Sequence, residues 1–401
     1  MFFCFKSIDT RCKYCRPTTF FGIQWWTDRQ STFVVQRFAL LSICILICPM
    51  TTPADEPPLS VPKASVELSE GAPFLAEKID WVGHELYVPR YDQVVAILPT
   101  VENDTFRIVR RVAFDFEECG EELASALSGS FYKARFSNDS PNLMTAFDTR
   151  RLFIIGKNNK IMFHLGEAGN TSFEICDVDI SGSNPLVLIG MQNTEAPYTE
   201  YFLKRVNLKT GDSLQLSCGP DEIRSVRLSK DGKYCAIGRR KSGITFVDVS
   251  TMTIVRQVYT KQLIVTDLRF SSDGRFLFAA DSEDLVVIET NSWREIARWS
   301  PNDDTADRNL VCGFDLSTDD EYVYVVIKSF EIGQVVRLCR LRVSSIGTAP
   351  NDIPGLAYFH TPSYTFAGVR TSNDGSWIAS VAIGPRGPEV LFVRANAFEM
   401  N

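Results

Sequence analysis

One short pattern recurs along the chain and restricts what it can fold into more than any other feature: an alternating run that ends in Ser and enters a tight Asp-Gly corner. It stands as Val226-Arg227-Leu228-Ser229-Lys230-Asp231-Gly232, as Leu268 to Gly274, as Phe314 to Asp320 and as Val369 to Gly375. Weaker copies occupy Ala134 to Ser140 and Val178 to Ser183. The six serines (Ser137, Ser181, Ser229, Ser271, Ser317, Ser372) are spaced by 44, 48, 42, 46 and 55 residues. Each has a charged residue two positions earlier (Arg135, Asp179, Arg227, Arg269, Asp315, Arg370) and an apolar one three earlier. Period-2 alternation marks a strand. An Asp-Gly corner suits a hairpin, because Gly accepts positive φ and Asp hydrogen-bonds its own backbone.

Each copy continues into further short strands, such as Phe276-Ala280, Leu285-Glu289 and Arg294-Trp299 in one and Tyr234-Gly238, Ile244-Asp248 and Thr253-Val258 in another. Four strands in every 40 to 50 residues mark radial repetition of small sheets. On these residues the chain resembles the WD40-like and YVTN-repeat superfamily of seven-bladed β-propellers over about Ala64 to Arg394. The expected fold is therefore all-β, with seven four-stranded antiparallel blades. Six blades carry a marker serine, and a seventh is expected upstream, with strands near Glu77-Val82, Glu85-Val88, Gln93-Leu98 and Phe106-Phe114. The last repeat supplies only three strands, so an N-terminal strand near Ala64-Ser69 is expected to complete it and close the ring. Gly-His and Trp-Asp pairs do not occupy the repeat positions, and three histidines cannot furnish one buried histidine network per blade. Functions particular to eukaryotic WD40 proteins are not implied by the resemblance.

The first fifty residues differ in kind. The apolar run Phe38 to Met50 is too short to span a bilayer, which takes ~20 residues. It has the length of a signal-peptide core, with Arg37 as basic flank and Thr52-Pro53-Ala54 as a small-residue cleavage site. Residues 1–50 thus read as a signal peptide or anchor, or as sequence upstream of a true start near Val34 or at Met50. Residues 51–63 read as a Pro-rich linker and 64–401 as the propeller. The product would be secreted or periplasmic with the signal, and cytoplasmic with a start at Met50.

Charge and residue type narrow the chemistry. The net charge is −7, but Met1–Pro49 holds six basic residues against two acids, which leaves −11 on the remainder. An acidic body is a poor partner for a phosphate backbone, so nucleic acid is not an expected partner. His84, His164 and His360 are not at metal-ligand spacing, Cys12-Lys-Tyr-Cys15 has no second pair, and no nucleophile elbow, phosphate loop or dinucleotide fingerprint occurs. Neither a cofactor, a metal nor a catalytic residue is expected. Asp231, Asp273, Asp319 and Asp374 read as turn formers. The sequons at Asn103, Asn138 and Asn170 matter only in a eukaryotic secretory setting. Cys119, Cys176, Cys218, Cys235, Cys312 and Cys339 are expected to be mostly buried thiols.

The loops between the second and third strands of the blades would line one face of the ring. They place Arg239, Arg240 and Lys241 in one blade, Asp281, Glu283 and Asp284 in the next, and Phe330 and Glu331 beyond. Arginine and aromatic residues favour partner contacts, which makes these the candidate partner-binding residues. The expected function is a non-catalytic, monomeric scaffold with no stable membrane span, binding a protein or peptide. A propeller enzyme of lactonase-like or quinoprotein-like type with a site at the central channel, or a carbohydrate- or cell-surface-binding module, stands as the alternative.

Overall fold

In the computed structural model the Ser-x-Asp-Gly corners close hairpins, and each hairpin opens a four-stranded antiparallel sheet of its own. The structure describes residues 63–67 and most of 79–399, with gaps that include 116–132, 302–308, 330–335, 348–356 and 360–364. The signal-peptide expectation for 1–50 and the linker expectation for 51–63 lie outside the described residues, except that Lys63 begins a strand. Among the described residues no helix is long and apolar enough to cross a membrane.

Seven such sheets form the ring. Their first strands are Asp80–Val82, Lys133–Ser137, Phe173–Ser181, Ile223–Leu228, Asp267–Phe270, Asn309–Leu316 and Thr365–Thr371, which define blades 1 to 7. These first strands touch one another in sequence around the ring and return from blade 7 to blade 1, so they form its inner wall. The fold is a seven-bladed β-propeller. Blade 7 is completed as expected: Lys63–Glu67 pairs antiparallel with Gly387–Arg394, from Lys63 opposite Val393 to Glu67 opposite Glu389.

The corners explain why serine recurs. In blade 4 the buried Ser229 Oγ donates to Asp231 Oδ1 at 2.6 Å and accepts from Tyr234 N at 2.9 Å, while Asp231 Oδ1 also accepts from Lys233 N at 3.0 Å. Ser271, Ser317 and Ser372 repeat this arrangement with Asp273, Asp319 and Asp374. The fourth corner residue has φ of 70°, 71° and 70° at Gly232, Gly274 and Gly375, where a side chain is disfavoured. Blade 6 puts Asp320 there at φ 57°. Its carboxylate compensates by accepting from both Ser272 N (2.7 Å) and Ser272 Oγ (2.6 Å) of blade 5. The turn-forming reading of these aspartates agrees with the geometry.

The cores lie between blades rather than within them. Blades 5 and 6 share a cluster of Phe278, Leu285, Trp299, Phe314, Val323 and Leu341. Blades 1 and 7 meet through Trp81, Leu86, Trp377 and Phe392, with Trp81 edge-on to Phe392 at 6.1 Å. Each sheet therefore buries both faces against its neighbours, and at about 25 cal/mol per Å² of apolar surface this burial outweighs any hydrogen bond described below. Cys176, Cys218, Cys235, Cys312 and Cys339 are thiols, with Cys218, Cys235 and Cys339 buried. Burial pushes the Cys218 and Cys235 thiols above their usual pKa.

Candidate functional site

Two regions of a propeller are open to function: the mouth of the channel and the loops around it. The inner strands are edge strands, with one row of backbone groups directed at the axis and no further strand to pair with. In this chain carboxylates of the preceding blade meet that row. Asp177 Oδ2, fully buried in blade 3, accepts from Val226 N of blade 4 at 2.9 Å, and Asp179 Oδ2 accepts from Leu228 N at 2.7 Å. Asp315 of blade 6 accepts from Thr371 N of blade 7 at 2.9 Å.

Arginines tie these acids together. Arg227 bridges Asp177 at 3.2 Å and Asp267 of blade 5 at 2.7 Å. Arg269 of blade 5 meets Asp315 at 3.2 Å, and Arg370 of blade 7 lies 3.7 Å from Asp267. Burial works against the charge of Arg269, but Asp315, Asp267, Asp80 and Asp179 outweigh it and raise its pKa. At Arg370 burial and the neighbouring Arg269 prevail, and its pKa is lowered. Four of the six charged positions two before the marker serines therefore form part of one inter-blade network, with Asp179 bound to backbone beside it. The side chain of Arg135 lies outside the described residues. Alternation marked these positions as one face of a strand; it could not show that the face meets charged groups of other blades, because the partners lie 40 to 103 residues away.

The candidate partner-binding residues separate into two groups. Arg239 is turned inward and 2% exposed: its Nε donates to Thr245 Oγ1 at 2.9 Å and its Nη1 to the carbonyls of Cys218 (2.7 Å) and Asp221 (3.3 Å). It fastens blade 4 to the end of blade 3 and is not presented to a partner, a correction to its reading as a rim cation. Asp284 is likewise buried, and with the fully buried Asp281 it grips Arg298 Nη1, at 2.5 and 3.0 Å, while Glu295 takes Nη2 at 2.8 Å. This acid too is withdrawn from the surface. Burial pushes the Asp281 carboxyl up to about 6 even with Arg298 beside it. Arg240 and Lys241 are exposed and Glu283 half-buried. Arg240 pairs with Glu222, which also pairs with Arg224, both at 3.2 Å, and the Asp221 carboxylate holds the backbone of Lys241 and Ser242. Phe330 and Glu331 lie outside the described residues. Of the histidines, His84 is exposed 3.4 Å from Asp374, His164 stacks on Phe153, and His360 is outside the described residues.

No protein-family model matches the sequence, and no curated protein matches it. Solved structures do. The β-propeller domain of Cps50 (Swd1) from Myceliophteria thermophila matches with a TM-score of 0.57 at 11% identity, over 82% of this chain and 99% of that one. The Pan2 WD40 domain of Neurospora crassa matches with a TM-score of 0.52 at 11% identity, over 79% and 89%. The fold is that of a WD40-like β-propeller. At this identity the likeness concerns the fold. Within this WD40-like propeller the Asp-Arg network of the inner strands and the serine-centred corners supply the polar inter-blade and intra-blade ties.

Proposed function

We propose that the chain is a non-catalytic scaffold that binds a protein or peptide through the face carrying the loops between second and third strands. The observation behind this reading is the division of charge between channel and rim. Asp177, Arg227, Asp267, Arg269, Asp315 and Arg370 are withdrawn from solvent and engaged with one another or with backbone, whereas Arg224, Arg240 and Lys241 stand exposed, the two arginines paired with half-buried Glu222. A channel enzyme needs acid, base or nucleophile free to meet a substrate, and mutually neutralised pairs suit that role less well. WD40 propellers commonly act as interaction scaffolds, which supports the same reading. Replacing Arg240 and Lys241 by Ala, with Arg239 retained for stability, is expected to abolish partner recovery in a pull-down from the native source. Recovery equal to the parent's would overturn the reading.

Export is proposed on the apolar run Phe38 to Met50. The mature N-terminus, read by mass spectrometry of the native protein, is expected near Asp55; an intact upstream segment would refute export by cleavage.

A further inference from the structure

On the opposite face, where the serine corners lie, a cleft of about 410 Å³ opens between blades 3 and 4. Pro185 and Leu186 lie at the first corner of blade 3, and Arg205, Asn207 and Lys209 at its third strand and following turn. Gly232, Lys233, Val249 and Ser250 come from the two corresponding corners of blade 4.

The polar groups of this cleft are unbalanced toward donors. Several of its acceptors are already engaged: the carbonyl of Pro185 by Leu208 N, that of Lys233 by Val249 N and that of Asn207 by Gly211 N. Asn207 Oδ1 takes Lys209 N and Thr210 N, and the Val249 and Ser250 carbonyls take Arg205 Nη1 at 2.7 and 3.1 Å. The cations are only partly matched. Arg205 Nε is buried with no hydrogen-bond partner, and Arg205, Lys209 and Lys233 make no ion pair among the described residues. Lys233 Nζ rests over the Tyr234 ring at 5.0 Å and its side chain hydrogen-bonds Tyr234, with no carboxylate paired to it. The nearest carboxylates, Asp231 and Asp248, act on Lys233 only at longer range, and each is engaged through Oδ1, Asp231 by Ser229 and Lys233 N and Asp248 by Ser250 and Thr251.

A concave site with three cations, five of its carbonyls occupied and an apolar wall of Pro185, Leu186 and Val249 complements a group that is all acceptor. We propose that this cleft receives an oxyanion side chain, a carboxylate or a phosphate monoester, from an extended segment of a partner protein. The site rests on the partner-binding reading above but uses the other face of the ring.

The test presents the full chain with immobilised degenerate nonapeptide libraries whose central residue is phosphoserine, glutamate or serine. Retention is expected on the phosphoserine or glutamate library, with the stronger of the two naming the oxyanion, and background on serine. Losing one charge-assisted contact of about 1.5 kcal/mol or more costs about tenfold in affinity. The exposed Lys209→Ala/Lys233→Ala variant should therefore lose at least that factor, while Arg205→Lys keeps the charge and loses the fork geometry, giving an intermediate loss. Arg240→Ala/Lys241→Ala should retain the libraries like the parent, which separates this site from the rim. Equal retention on all three libraries, undiminished retention by the lysine variant, or binding only to vesicles of anionic lipid would each overturn the proposal.

Discussion

Replacing Arg227 by Met removes a guanidinium while keeping most of the side-chain stem. Arg227 is 6% exposed, and its partners Asp177 and Asp267 are 0% and 14% exposed. Breaking a buried pair from one side leaves an uncompensated charge at about 3–5 kcal/mol. The Asp177 carboxylate keeps the hydrogen bond from Val226 N, so the lower half of that range applies. An unfolding entropy of about 2.1 cal/mol/K per residue over roughly 320 residues converts 3–4 kcal/mol into a fall in Tm of about 4–6 °C. The pH dependence carries the sign. Without Arg227 the folded-state pKa of Asp177 rises above its unfolded value, so the folded state holds the extra proton between those two values and the variant loses stability as pH rises through that window. The deficit against the parent should then be full at pH 7 and smaller near pH 4.5, by differential scanning calorimetry at both pH values. Adding Asp177→Asn should recover part of it. A deficit below 1 °C, or one that is the same at both pH values, would refute the view that Arg227 neutralises a buried acid.

Three further outcomes follow from the geometry. Deleting Lys63–Glu67 exposes the edge of Gly387–Arg394 and should lower the thermal midpoint and raise aggregation on heating; a midpoint equal to the parent's in light-scattering-monitored melts would remove the strand from ring closure. Ser372→Ala removes the hydroxyl that accepts from the Trp377 N–H and donates to Asp374 Oδ1 and should cost about 1–3 kcal/mol in urea unfolding, against no loss if the corner is held by backbone alone. For Asp281, whose folded pKa of about 6 lies above the usual 3.8, the folded state binds more protons between those values, so its contribution weakens stability as pH rises from 4 to 6. Asp281→Asn should flatten that part of the stability profile, and an unchanged slope would count against the burial argument.

The ring was legible in the sequence because its determinants are local. Ser229, Asp231 and Gly232 act within six residues, and the copies repeat the same geometry, so blade number and corner role follow from spacing. The closing strand was legible from the three-stranded last repeat. What stayed hidden depends on partners one blade away. Arg227 and Asp177 are neighbours only once the ring has formed, so their charge read as strand alternation. Arg239 was misplaced for a different reason: the run Arg239-Arg240-Lys241 looks like a solvated tip, yet Arg239 shares strand parity with the buried Cys235 and Ile237 and points inward with them. Residues 235–239 are buried at both parities, so alternation alone does not separate Arg239 from the exposed Arg240 and Lys241. The cleft beside Arg205 draws on four separate turns and left no linear signal.

The seam between Lys63–Glu67 and Gly387–Arg394 also sets a clock. Its first strand leaves the ribosome more than 300 residues before its partner exists, and at about 5–20 residues per second that is roughly 15–65 s. Six blades can stack as they emerge, but the circle cannot lock until Gly387–Arg394 has emerged, and the cost of bringing such distant segments together falls on that step. Through that interval the nascent chain is an open arc whose terminal blade interface, lined by Trp81 and Leu86, faces water. The growing protein is thus most exposed to misassociation where the finished one is sealed.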